Sequence, residues 1–225
     1  ALLMSAFIGF VNGTIVTRVG VNPLITTLGM MSIARGAALV ATQGKPVSGF
    51  PKPFVFLGQG TISVVPELPI PFPFIVMLVL IVIADLLLRR ARYFRQMYYI
   101  GNNAKAALLS GINVNQVLLA SFITTAVMAG LGGVFSTARL ASAIPTSFTG
   151  VEMRVISAAI IGGASLAGGE GTVIGSLLGL IFMALLSNAM VILGVSVYWE
   201  GIIQGTVLVL AVTLDMLSRR KLLAA

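Results

Sequence analysis

The stretch Arg89-Arg90-Ala91-Arg92-Tyr93-Phe94-Arg95, followed by Gly101-Asn102-Asn103-Ala104-Lys105-Ala106-Ala107-Leu108-Leu109-Ser110-Gly111-Ile112-Asn113-Val114, stands between apolar segments of membrane length. A connection that only rejoined two spans would need a handful of residues. This one gathers positive charge and then presents a short helix. Asn102 or Asn103 can cap the helix N-terminus, and Gly111 suits the left-handed residue just past its end. About two turns, 104–110, remain between them. Such a helix is marginal alone in water, because nucleation costs more than a few hydrogen bonds return. Ala104, Ala107, Leu108 and Gly111 fall at i, i+3, i+4 and i+7 and form a small apolar face. That face either rests on the protein's own inner surface or on lipid headgroups, or it docks a partner.

Composition places the chain in lipid. Hydrophobic residues make up 58% of 225, charged residues 9%, and the mean hydropathy is +1.07. A soluble domain carries roughly a quarter charged residues to cover its surface. The net charge of +8 does not point to nucleic acid, because five of the fourteen Lys/Arg fall in 89–105 and Arg219, Arg220 and Lys221 follow the last apolar run. Cations beside apolar spans are the positive-inside pattern of an integral membrane protein. The chain has neither cysteine nor histidine. Disulfides and thiol chemistry are thereby excluded, along with the commonest general base and metal ligand; no metal ion and no cofactor is expected. The chain opens Ala1-Leu2-Leu3 inside an apolar run, without the basic n-region of a signal peptide. It is read as starting within a transmembrane helix.

A crossing helix needs about 20 predominantly apolar residues. Residues 1–17, 22–42, 72–88, 117–136, 172–193 and 199–217 qualify or nearly do. The short, glycine-rich 154–168 is either a crossing or a broken, re-entrant piece, and irregular backbone at membrane depth has to be covered by protein. A crossing is favoured by charge. With 89–116 and the C-terminus inside, nine Lys/Arg lie inside, four (Lys45, Lys52, Arg139, Arg154) lie outside, and Arg35 lies within a span. The expected fold is an all-α polytopic membrane protein, a multi-helix bundle of about seven spans forming one transmembrane domain over 1–225. Its basic loop 89–116 is cytoplasmic and its loop 43–71 extracytoplasmic. Six prolines from Pro46 to Pro71 bar a continuous helix in the latter. It is either an exposed connector or part of a platform for an external partner. Tyr198 and Trp199 fall at an outer aromatic belt, and Tyr93, Tyr98 and Tyr99 near an inner one.

Gly171, Gly175 and Gly179 recur at four-residue spacing, which lets helix backbones approach closely. Gly163-Ala164-Ser165-Leu166-Ala167-Gly168 has the first spacing of a phosphate loop, but Gly169 stands where the lysine belongs. Tight packing is the better account. Glu152, Glu170 and Glu200 border spans, and Asp85 and Asp215 lie near the inner face, where water or neighbouring cations can satisfy them. Arg35 is the unusual charge: it lines a polar path, pairs with an acid, or steadies a broken helix.

Several blocks together are specific. They are Asn22-Pro23-Leu24-Ile25-Thr26-Thr27-Leu28-Gly29-Met30-Met31-Ser32-Ile33-Ala34-Arg35-Gly36, Gly101-Asn102-Asn103-Ala104, Leu109-Ser110-Gly111-Ile112-Asn113-Val114, Ala141-Ser142-Ala143-Ile144-Pro145-Thr146, Ile161-Gly162-Gly163-Ala164-Ser165-Leu166-Ala167-Gly168-Gly169-Glu170-Gly171-Thr172, and Leu193-Gly194-Val195-Ser196. On them the chain resembles the permease subunits of bacterial ABC sugar importers of the ribose/xylose/galactoside type, with a type II importer fold. The resemblance implies a non-catalytic subunit of the bacterial inner membrane. Its partners would be ABC ATPase subunits inside, a periplasmic or lipid-anchored sugar-binding protein outside, and a second permease subunit, identical or related. It implies that Gly101, Asn102, Asn103, Ala104, Ala107, Leu108, Gly111, Ile112 and Asn113 form the coupling segment that inserts into the ATPase. It also makes 43–71 and 137–153 candidates for meeting the binding protein. Family members carry about three further spans before the position of Ala1, so the chain is expected to lack its N-terminal third. The alternative is a secondary transporter or channel for a small polar solute, for which Arg35 is the one mid-membrane ionisable candidate. A serine–histidine or thiol hydrolase is excluded by composition, and Asp85 with Asp215 lies in no recognisable aspartyl motif.

Overall fold

The computed structural model describes residues 1–65 and 68–224, and at 63–65, 68, 197, 214, 215 and 217–224 it describes backbone alone. Pro66 and the side chains of Asp215, Arg219, Arg220 and Lys221 therefore lie outside the described residues. Two compact units emerge, one from Ala1–Val82 with Gly111–Ser147 and one from Ile83–Ser110 with Phe148–Ala225.

The first unit is built on α1 (Leu2–Thr14), α2 (Pro23–Thr42) and α7 (Val114–Leu140), each of spanning length once the π-helical turn Ile15–Val19 is added to α1. Between α2 and α7 in the chain come β1 (Val47–Ser48), α3 (Lys52–Gln59), β2 (Thr61–Val65), β3 (Leu68–Pro71), α4 (Phe72–Arg90), α5 (Arg92–Asn102) and α6 (Ala104–Leu109). Local chemistry sets the helix starts. Asn22 Oδ1 accepts from the Leu24 N–H at 2.9 Å, with Pro23 as the first helical residue of α2. The α1–α7 seam is made by small residues: a Cβ on Gly9 would lie 2.7 Å from the Phe122 carbonyl oxygen and 2.8 Å from Ala126 Cβ. Gly9 and Gly13 carry the same four-residue spacing as the downstream glycines, a signal that spacing alone already offered.

The proline-rich loop 43–71 is structured. Its β1 pairs antiparallel with β4 (Ser142–Ala143), its β2 pairs with β3, and α3 lies on the end of α7. Gly58 lets the α3 backbone meet Ala138 and Arg139, and the Gln59 side-chain amide donates to the Arg139 carbonyl at 2.9 Å. Phe56, Phe72 and Phe135 continue this contact, with ring centroids 5.8 and 6.5 Å apart. The two loops read as facing outward, 43–71 and 137–153, are thus joined by a strand pair. These four short strands are the departure from a wholly helical chain.

The second unit contains the end of α4, α5, α6, then α8 (Val151–Ile161), α9 (Val173–Ile192) and α10 (Val197–Ala224). Helices α4 and α9 have spanning length, giving five such helices among the described residues, and α10 holds a shorter apolar core, Tyr198–Thr213. The crossing expected at 154–168 is not one helix: α8 has 11 residues, about 16 Å at 1.5 Å per residue. Past Ile161 the chain turns on itself, with Gly163, Gly168 and Gly169 at φ between +80° and +89°. Ser165 N–H donates to the Glu170 carbonyl and Gly168 N–H to that of Ser165. One end of this piece meets Glu200 through Arg154 and the other meets Asn102 through Gly169. The segment is therefore half helix, half glycine turn, with Gly163, Leu166 and Ala167 exposed on the turn.

Candidate functional site

Helix α6 forms where its caps require. Asn103 Oδ1 accepts from the Ala106 N–H at 3.0 Å, Ser110 closes the helix with N–H and Oγ both donated to the Ala106 carbonyl, and Gly111 follows at φ +82°. Of the two possible caps, Asn103 serves, while the Asn102 side-chain amide donates instead to the Gly169 carbonyl at 3.4 Å. Asn113 caps α7 by accepting from the Gln116 N–H at 3.2 Å. The apolar face expected from Ala104, Ala107, Leu108 and Gly111 does not hold together. Ala107 is buried, whereas Leu108 is 63% and Leu109 89% exposed, and Ala104 and Gly111 are exposed as well. The outward apolar pair is Leu108–Leu109, because a two-turn helix seated through one alanine must point its next two residues away. Leu109 was not among the residues the spacing selected.

What seats α6 is α5, which directly precedes it. Arg92, Arg95, Tyr99 and Asn102 are exposed at i, i+3, i+7 and i+10, and Ile100 is buried; this is an amphipathic helix that the basic run concealed. Partial burial raises the Tyr93 phenol above its ordinary pKa. The inner face of α5 rests on the glycine turn before α9. Tyr98 Oη donates to the Gly171 carbonyl at 2.9 Å, and Gly101 lies directly on the Gly169 backbone, where any side chain would collide.

Glycines do the same between α8 and α9. A Cβ on Gly175 would strike the Gly162 carbonyl, and one on Gly179 the Ala158 carbonyl. Gly171 corrects the expectation for the trio: at φ +142° it belongs to the turn, not to a helix, and its role is the carbonyl that Tyr98 holds. At the far end, Glu200 Oε1 accepts from Arg154 Nη2 at 2.5 Å, Ser187 Oγ at 2.8 Å and Gln204 Nε2 at 2.9 Å. These residues join α8, α9 and α10; sequence placed Glu200 only at a span border. Removing one acceptor for three donors, Glu200→Ala is expected to destabilise the fold by about 2 kcal/mol. In a double-mutant cycle, Arg154→Ala should then add less than its single effect, as unfolding in detergent would measure. Strict additivity would mean the contact is idle.

Asp85 pairs with Arg89 at 2.9 Å, one helical turn on. Arg35 is half-buried on α2 and forms no ion pair among the described residues. Its place in a pathway is thus neither supported nor replaced by a pairing role. The arrangement as a whole is a transmembrane scaffold that presents a small, rigidly capped helix beside a basic amphipathic one.

Residues 1–212 match the family described as branched-chain amino acid transport system / permease component. Similar proteins include the ribose import permease protein RbsC of Escherichia coli K12, 39% identical over 219 residues, 96% of this chain and 67% of that protein. The ribose import permease protein RbsC of Bacillus subtilis 168 is 37% identical, over 91% of this chain and 62% of its own length. The D-allose transport system permease protein AlsC of E. coli K12 is 37% identical, over 96% and 65%. The chain therefore spans about two thirds of the length of the relatives it matches. No solved structure matches. With membrane-length helices and a family match running through nearly all of them, this chain is a member of the branched-chain amino acid transport system / permease component family.

Proposed function

We propose that this chain is the main membrane-embedded part of a permease subunit that forms, in an ATP-driven importer, the path for a monosaccharide or related small polyol across the bacterial inner membrane. The relatives named for ribose and allose support the solute class. The subunit does no chemistry; ATP is hydrolysed on separate ATPase subunits, a binding protein delivers the sugar outside, and a second permease copy or homologue completes the path. The observation that carries the reading is α6, a capped two-turn helix with Leu108 and Leu109 outward at the basic end of α4. A rigid projection with an apolar tip is what a neighbouring subunit can grip and move. In this reading 101–113 couples to the ATPase, Gly175 and Gly179 pack helices, and the paired loops 43–71 and 137–153 receive the binding protein.

These 225 residues hold no cysteine, so one introduced thiol is unique once any cysteine outside them is replaced by serine. Lys105 is exposed on α6 and caps nothing. Lys105→Cys in the full-length protein, co-expressed with its ATPase, is expected to cross-link to that ATPase in a nucleotide-sensitive way. A folded complex without any such cross-link would favour a secondary transporter and direct attention to Arg35.

A further inference from the structure

We propose that the cleft between the end of α4, α5 and the turn into α9 holds the headgroup of an anionic phospholipid from the inner leaflet. The cleft has a volume of about 620 Å³, and Arg89, Arg95, Asp85, Leu88, Tyr98 and Val173 contribute to its walls. Its lining carries one net positive charge. Arg89 spends its Nε on Asp85, and its terminal amino groups have no hydrogen bond among the described residues. Arg95 uses one Nη on the Tyr99 hydroxyl at 3.3 Å. Each guanidinium thus keeps donors for a phosphodiester, whose oxygens match that fork. Arg90 and Arg92 lie in the same stretch and raise the local potential further.

The apolar half of the cleft favours a lipid over a free anion. Leu88 and Val173 flank the cations, and the face of α4 that carries Asp85, Leu88 and Arg89 continues one and two turns back into Ile81, half-buried, and Leu78, 45% exposed. An acyl chain would run along that wall while the phosphate met the arginines. Helix α5, with Arg92, Arg95 and Asn102 exposed and Phe94, Met97, Tyr98 and Ile100 turned inward, has the character of an interfacial helix at headgroup level. The cytoplasmic leaflet is where anionic lipid and the basic end of this unit meet.

The test uses the full-length protein with any cysteine outside these residues replaced by serine. Leu88→Cys is labelled with bimane, and quenching is measured in mixed micelles with dibrominated phosphatidylglycerol or dibrominated phosphatidylcholine. Stronger quenching by phosphatidylglycerol is expected, with its apparent affinity reduced about fivefold for each arginine lost in Arg89→Gln and Arg95→Gln. Equal quenching by the two lipids overturns the proposal without requiring either arginine variant to fold. Inorganic phosphate at millimolar concentration should leave the preference intact. If phosphate displaces the brominated lipid, the site recognises a soluble anion and the lipid assignment fails.

Discussion

Alanine at Gly179 is expected to destabilise the protein by about 3 kcal/mol, measured as a shifted unfolding midpoint of the full-length protein in detergent. The added methyl would fall on the Ala158 carbonyl oxygen, with the Ala158 carbonyl carbon and the Gly162 nitrogen both 2.9 Å away. All three are backbone atoms, so no side chain can rotate aside. Helices α8 and α9 would have to separate along a seam that also contains Gly162 and Gly175. The contrast lies on α2, where Gly29 and Gly36 have nothing within 4 Å of an ideal Cβ. Gly29→Ala and Gly36→Ala should be neutral, or stabilising by up to about 1 kcal/mol through helix propensity. Equal effects at Gly179 and Gly36 would show that the α8–α9 contact is not formed in the native protein.

The double change Leu108→Glu, Leu109→Glu should lower ATP-driven uptake by about tenfold or more, with little effect on folding. Both side chains are exposed, so replacing them opens no cavity and buries no charge. In an interface they would be the central apolar anchors, where truncation or charge typically costs about 2 kcal/mol or more. Uptake in cells, paired with co-purification of the ATPase, separates loss of docking from loss of the protein. Unchanged uptake would remove α6 from the coupling role. Ala107→Leu acts in the opposite sense: Ala107 is only 4% exposed, so enlarging it should unseat the helix and lower stability first.

The extent of legibility differs from element to element. Helix α6 was readable to within a residue because its determinants are local: Asn103, Ser110 and Gly111 act on backbone groups three or four residues away. The starts of α2 and α7 at Asn22 and Asn113 follow the same logic. The spanning helices were readable because lipid leaves the backbone few alternatives to helix. Helix α5 was overlooked although Arg92, Arg95, Tyr99 and Asn102 sit at helical spacing, since a run of arginines reads equally well as a solvated loop. Among the glycines, a Cβ on Gly175 or Gly179 would meet the Gly162 or Ala158 carbonyl, whereas Gly171, which shares their spacing, lies in a turn.

By itself, the order of residues determined that this chain lives in a membrane, that the segments around 1–17, 22–42, 72–88, 117–136 and 172–193 form helices of crossing length, and where a short helix is capped within a basic loop. Those outcomes depend on hydropathy and on contacts between near neighbours. Tertiary structure alone decided which glycine faces which helix, that 47–48 and 142–143 share a strand pair, that Glu200 gathers Arg154 from 46 residues away, and that Ala107 is buried while Leu108 and Leu109 point outward. The reason is physical: in a chain this apolar, a face turned to lipid and a face turned to protein have the same composition, so pattern cannot tell them apart and only packing can.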